Sequence, residues 1–306
     1  MMKEEKQRRY PPLASRLFRP VAYVLLLFLS YAFGFYSGIF VKPPINNSNT
    51  DVKNLTAERL SYSNSFFNSD HFRFGSGCAN PIPSELIKQT VLAHIFNGTS
   101  PFIGFPPPHL QPLLQKRRIK GWGSNGDVFE NLIRRVKPRT IIEIGTFLGA
   151  SAIHMGQVTR KLGLSAQIFC VDDFRGWPEF NRKLRRMSYV NGDVLLLQQF
   201  MQNVNYMNMT EMITPIPFSS SSALVKLCEW GVVADLIEID AGHDFHSAWS
   251  DINLAYKVLR PGGVIFGHDY FTMADDRGVR RAVNLFAKAK GLRVEVDGQH
   301  WVIDST

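Results

Sequence analysis

The chain has 306 residues, 45% hydrophobic and 20% charged, a globular balance with length for one large core and appendages. Its formal net charge of +9 is partly local, because Lys3, Lys6, Arg8, Arg9, Arg16 and Arg19 face only Glu4 and Glu5 within residues 1–20. A basic tail without a basic, aromatic-interleaved face elsewhere argues against a nucleic-acid partner. Cys78, Cys170 and Cys228 match no metal-ligand spacing, and their odd number speaks against a disulfide framework.

Val21 to Val41 carries no charge and is dense in Leu, Phe, Tyr and Val, about the length a helix needs to cross a bilayer. Basic residues crowd ahead of it, so the positive-inside bias puts residues 1–20 in the cytosol and everything after Val41 in a lumen or outside. The long polar lead-in and the lack of a small-x-small cleavage site favour an uncleaved signal anchor over a cleaved signal peptide. Residues 42–83, rich in Asn, Ser and Pro, read as a flexible stem. Four triplets fit N-x-[ST], at Asn46, Asn54, Asn97 and Asn208. A single-pass anchor with a stem resembles the organisation of Golgi enzymes that modify glycans. That likeness implies a type II glycoprotein of a secretory-pathway membrane.

Residues 84–120 read as an N-terminal extension of the domain that follows. The spacing of Leu86, Ile87, Val91, Leu92 and Ile95 predicts a helix over 84–96 with Ser84 as N-cap, and the proline-dense stretch 101–112 must be loop. From residue 121 to 306 a regular alternation follows. Helices are predicted over 126–136, 150–162, 194–203, 221–230, 248–259 and 279–290. Strands are predicted over 140–144, 167–171, 212–217, 236–239, 263–267, 292–296 and 301–303. Short apolar runs alternating with helices predict a doubly wound, seven-stranded, mostly parallel α/β sheet. The last two strands lack room for a crossover and should form an antiparallel C-terminal hairpin.

The first strand ends in Glu143-Ile144-Gly145-Thr146-Phe147-Leu148-Gly149-Ala150-Ser151, a glycine turn that lets backbone approach a ligand. The second ends in Val171-Asp172-Asp173, an acidic tip able to bind ribose hydroxyls. A dinucleotide site would want G-x-G-x-x-G; the pattern here is E-x-G-x-x-x-G. It resembles the class I S-adenosylmethionine-dependent methyltransferases, over about residues 121–303 and including the terminal hairpin. The resemblance implies that Glu143, Gly145, Thr146, Gly149 and Ser151 hold the methionine part of the cofactor. It gives Asp172 the ribose, with Asp173 as a substitute, and places adenine near Ser219 and Ser220. Trp122-Gly123-Ser124 would then close over the cofactor, or Trp122 would simply cap the core.

The fourth strand ends in Asp240-Ala241-Gly242-His243-Asp244-Phe245-His246 and the fifth in His268-Asp269-Tyr270. Ligands bind at the carboxyl ends of parallel strands, so Asp240, His268 and Asp269 are expected together beside the cofactor. Two carboxylates and an imidazole suit Mg²⁺ or Mn²⁺. The D-x-x-H and H-D-Y pair resembles the macrolide-sugar O-methyltransferases. Catechol-type enzymes place metal ligands at equivalent strand ends but with Asp-Asn in the second motif. This likeness implies that a metal at Asp240 and Asp269 grips a substrate hydroxyl, with His243 as base. His243 has a competing reading as a helix cap, His246 as the start of the next helix, and Asp251 as an orienting residue. Arg175, Arg182, Lys183, Arg185 and Arg186 form a solvated face or recognise an acidic substrate such as a uronic acid.

The expected activity is methyl transfer to a hydroxyl on a sugar, glycan or small molecule. The alternatives are a cytosol-facing phenolic O-methyltransferase and a non-catalytic membrane protein using the same fold as a binding scaffold.

Overall fold

A computed structural model describes residues 77–116, 126–176 and 187–305. The chain divides into two units, residues 1–69 and 70–306, and everything described belongs to the second. The expected membrane segment 21–41, most of the stem and the Trp122-Gly123-Ser124 stretch lie outside the described residues, as do Arg182, Lys183, Arg185 and Arg186. Among the described residues no helix is long and apolar enough to cross a membrane.

In chain order the helices are α1 Ser84–Phe96, α2 Asp127–Val136, α3 Ala150–Lys161, α4 Leu196–Tyr206, α5 Ser220–Glu229, α6 Phe245–Lys257 and α7 Gly278–Lys290. The strands are β1 Thr140–Ile144, β2 Gln167–Val171, β3 Tyr189–Val190, β4 Asp193–Val194, β5 Ile213–Ile216, β6 Ala234–Ile239, β7 Leu259–Gly267, β8 Glu295–Asp297 and β9 His300–Asp304. Seven of them form one sheet in the order β5-β2-β1-β6-β7-β9-β8. The first five run parallel, and β9 pairs antiparallel with both β7 and β8, giving the expected terminal hairpin. The order of strands along the sheet reverses between β1 and β6, which opens a crevice at their carboxyl ends.

The central strands read as unbroken apolar runs because both faces are covered. On one face Ile142, Ile144, Ile237 and Ile265 pack beneath α1, α5, α6 and α7. On the other, Ile141, Ile168, Leu236, Val264 and Phe266 pack beneath α2, α3 and α4. This second face holds an exception to apolar burial. Glu143 of β1 stands directly opposite Glu238 of β6, and both are fully buried. Burial pushes the Glu143 carboxyl up to about 7, against the lowering effect of the Ser151 hydroxyl.

Most predicted boundaries hold within three residues, and the departures have local causes. Strand β7 begins four residues early, at Leu259, because Leu259 pairs with Ala234. The register then slips across Arg260–Gly263 before Val264 resumes opposite Leu236. Helix α6 begins three residues before the expected start because the Asp244 carboxylate caps it, accepting the Ser247 N–H at 3.0 Å. Pro83, not Ser84, occupies the N-cap of α1, and the Ser84 hydroxyl instead accepts a bond from Arg260 at 3.0 Å. The β3–β4 hairpin was not foreseen. Its turn is Asn191-Gly192, both at positive φ (53° and 91°), the residues such a turn requires.

The cysteine expectation is corrected. Cys78 and Cys228 form a disulfide across a sequence separation of 150 with Cα atoms 4.5 Å apart, leaving buried Cys170 free. An odd count leaves one cysteine over; it does not prevent the other two from pairing. The bond sits beside two backbone hydrogen bonds, Ala79 N–H to Cys228 carbonyl (3.0 Å) and Ile82 N–H to Gly231 carbonyl (2.9 Å), which seat the segment before α1 on the α5–β6 turn.

Two outcomes follow. Thiol titration should find no reactive cysteine in the native protein, one after denaturation and three after reduction, since burial also drives the Cys170 thiol upward. Three thiols on denaturation alone would refute the bridge. For Glu143, the folded carboxyl titrates above its ordinary value of 4.5. The stability contributed by its protonated form is therefore present below that value and lost as pH rises through about 7. Glu143→Gln should flatten this loss in melting temperatures measured between pH 5 and 8; an unchanged slope would show that Glu143 is not its source.

Candidate active site

The crevice between β1 and β6 is where the expected residues meet. Gly145 leaves β1 with φ +85°, and a Cβ there would overlap the Asp240 carbonyl and lie 2.7 Å from its carbon. Only glycine lets the two strand ends approach this closely, a contact fixed by the Asp240 N–H bond to the Ile144 carbonyl at 2.8 Å. Gly149, at φ +76°, lies against the Phe200 ring, where a Cβ would come within 2.7 Å.

Asp172 has a task that its strand-tip position did not disclose. Its Oδ2 accepts the Thr146 and Phe147 N–H groups at 3.1 and 2.8 Å, and its Oδ1 accepts the Phe174 N–H at 2.7 Å. The carboxylate thus holds the glycine loop in shape. Burial raises it despite these bonds. Further lone pairs remain on both oxygens. Asp173 is exposed and accepts the Arg175 N–H at 3.0 Å. Glu143, Thr146 and Ser151 are buried (0%, 2% and 2% exposed), with the Ser151 hydroxyl donating to Glu143 Oε1. These three brace the turn from within, while Gly145 and Gly149 shape its outer backbone. Ser219 caps α5, accepting the Ser222 N–H at 3.4 Å. Ser220 lies beside Asp251, whose carboxyl is lifted to about 6 by burial, opposed by the Ser220 bond.

At the neighbouring strand ends Asp240, His243 and Asp269 each offer a donor atom within 4.8 Å of the others. The expected trio of Asp240, His268 and Asp269 is therefore modified, with His243 in place of His268. Asp269 adopts φ +62°, a left-handed conformation that a short acidic residue tolerates, and its Oδ2 lies between two imidazoles. His243 Nε2 is 2.9 Å away and His268 Nδ1 3.3 Å. Both histidines are raised, chiefly by that hydrogen bond. Burial pushes Asp269 upward, yet the two imidazoles outweigh it and hold the carboxyl well below the usual carboxylate range. His246 stays exposed, its ring edge-on to Phe245 at 5.5 Å, and does not join the group.

One neighbour went unnoticed in the sequence. His300 is buried, and its ring lies 4.9 Å from His268. Burial, then the charge of His268, lowers it to about 4, so it presents a neutral ring behind the site. The alternation His300-Trp301-Val302 on a strand paired antiparallel to β7 was the available signal.

Residues 142–270 match a family described as a methyltransferase domain. No curated protein matches the chain. Solved structures similar to it include an O-methyltransferase from Bacillus cereus in complex with SAH, 17% identical, covering 81% of this chain and 97% of that one with a TM-score of 0.44. TomG from Streptomyces achromogenes, an O-methyltransferase involved in tomaymycin synthesis and solved with SAM, is 15% identical over 81% of this chain and 98% of its own, at 0.42. The SAH-bound methyltransferase PaMTH1 of Podospora anserina is 18% identical over 84% and 98%, at 0.43. With the family match lying across the glycine turn and both strand-end motifs, residues 142–270 form a methyltransferase domain.

Proposed function

We propose that the protein transfers the methyl group of S-adenosylmethionine to a hydroxyl oxygen of a sugar, glycan or other small hydroxylated acceptor. The observation that carries this reading is the Asp240, His243 and Asp269 group, which stands where β6 closes against the glycine turn. The oxygen attacks the methyl carbon in line with the sulfur, an O–C bond forms as the S–C bond breaks, and the sulfonium charge is neutralised. The hydroxyl proton passes to His243, whose basicity is increased by its bond to Asp269. Asp172 and the turn it braces orient the donor, with Asp172 or Asp173 accepting the ribose hydroxyls, and Ser219 and Ser220 border the adenine.

Asp240, His243 and Asp269 also have the oxygen-and-imidazole chemistry of a divalent-cation site, and Mg²⁺ or Mn²⁺ there would lower the pKa of the acceptor hydroxyl. In that case His243 serves as a ligand, and inhibition by EDTA with recovery on adding Mg²⁺ separates the two roles.

The reading extends to location. The charge-free run 21–41 behind a basic tail supports a single-pass, type II anchor, and the Cys78–Cys228 bridge supports an oxidising compartment of the secretory pathway such as the Golgi. A glycosidase-induced mobility shift of the expressed chain, reduced when Asn46 and Asn54 are both replaced by Gln and abolished when Asn97 and Asn208 are replaced as well, is the expected outcome. An unshifted chain with a protease-accessible catalytic domain in intact microsomes would place that domain in the cytosol.

Calorimetric titration of S-adenosylmethionine into the purified chain should show saturable binding that Asp172→Ala abolishes. His243→Ala should keep binding and reduce methylation of hydroxylated acceptors by about 10²–10⁴-fold. A folded wild type that binds no cofactor would overturn the reading in favour of a scaffold.

A further inference from the structure

Helix α4 carries two buried amides one turn apart, Gln199 and Asn203, at 2% and 0% exposure. Gln199 Oε1 accepts the Gln115 N–H at 2.9 Å, and its Nε2 lies 3.4 Å from the Gln115 carbonyl and 3.3 Å from Asn203 Oδ1. Asn203 Nδ2 in turn donates to the Leu148 carbonyl at 2.9 Å, inside the glycine loop. Between the two amides Phe200 forms the surface against which Gly149 rests. The segment held at the other end is also fixed locally, by the Leu113 N–H bond to the Leu110 carbonyl at 2.9 Å. Leu114 is buried, and the Ser188 hydroxyl donates to the Leu113 carbonyl at 2.6 Å.

Two amides inside an apolar layer are costly unless their bonding groups are matched, and here they connect two backbone segments far apart in sequence. A helix that only filled space would carry leucines at both positions. We propose that Gln199 and Asn203 are positioning residues of the cofactor site, fastening the glycine loop at Leu148 and the segment 111–115 to one face of α4, so that binding at the loop steadies the segment. This rests on the loop being the S-adenosylmethionine site. The interaction runs both ways by linkage, because a segment that steadies the loop is itself steadied when the loop is occupied.

The test is titration of S-adenosylhomocysteine into the detergent-solubilised full chain, combined with hydrogen exchange at the Gln115 amide. Asn203→Leu and Gln199→Leu should each weaken binding roughly ten- to a hundredfold. Val204→Ala serves as the stability control, being fully buried on the same helix with a side chain that bonds neither segment. It should lower the melting temperature and leave affinity intact. Exchange at Gln115 should slow when ligand binds to wild type and stay unchanged in Asn203→Leu. If Asn203→Leu binds like wild type, or loses no more affinity than Val204→Ala, the amides are packing and the proposal falls. A folded wild type that does not bind the ligand removes the cofactor reading itself, and the positioning role with it.

Discussion

The site depends on how closely two parallel strands meet at the point where the sheet reverses its order. The Asp240 N–H bonds the Ile144 carbonyl, and the residue following Ile144 must then pass the Asp240 carbonyl without a side chain. That contact requires a glycine at the start of the turn that leads into α3. The turn is then braced rather than left to its own conformational freedom. Asp172 takes three backbone N–H groups around it, and Glu143 with Ser151 supports it from inside. Pre-set backbone of this sort lowers the ordering cost of gripping a charged, flexible ligand.

The same strand ends give the reactive side its electrostatic character. Asp269 serves two imidazoles with one carboxylate oxygen, which raises the proton affinity of both, and Asp240 stands in the same group as Asp269 and His243. His300, kept neutral by burial, packs its ring against His268 without adding charge. A pocket lined by Ile239, Gly242, Val279 and Trp301 along with Asp240, His243, His268 and Asp269 sets these polar groups beside apolar side chains.

Much of this was legible from local patterns. The bounds of α1, β1 and β2 follow from apolar spacing, and the C-terminal hairpin from the short gap between its strands. The glycine turn and both strand-end motifs were visible as residue types at strand tips. What stayed hidden depends on register or on distant partners. That His243, not His268, joins Asp240 and Asp269 in the donor group is a matter of distance across the two strand ends, which no motif encodes. Glu143 facing Glu238 requires the β1–β6 alignment, and the Gln199–Asn203 ladder requires α4 to lie beneath the glycine loop. The parity of the cysteines misled because pairing is a matter of distance, and the two that pair are separated by most of the domain.

That separation bears on how the protein is made. Cys78 leaves the ribosome long before Cys228, so the earlier thiol must wait until most of the domain has been synthesised before its proper partner exists. During that interval Cys170, later shielded within β2, is the nearer thiol and the natural wrong partner. Early collapse of β1 and β2 around Cys170 would remove the competitor, making the order of strand formation a proofreading step for the bridge.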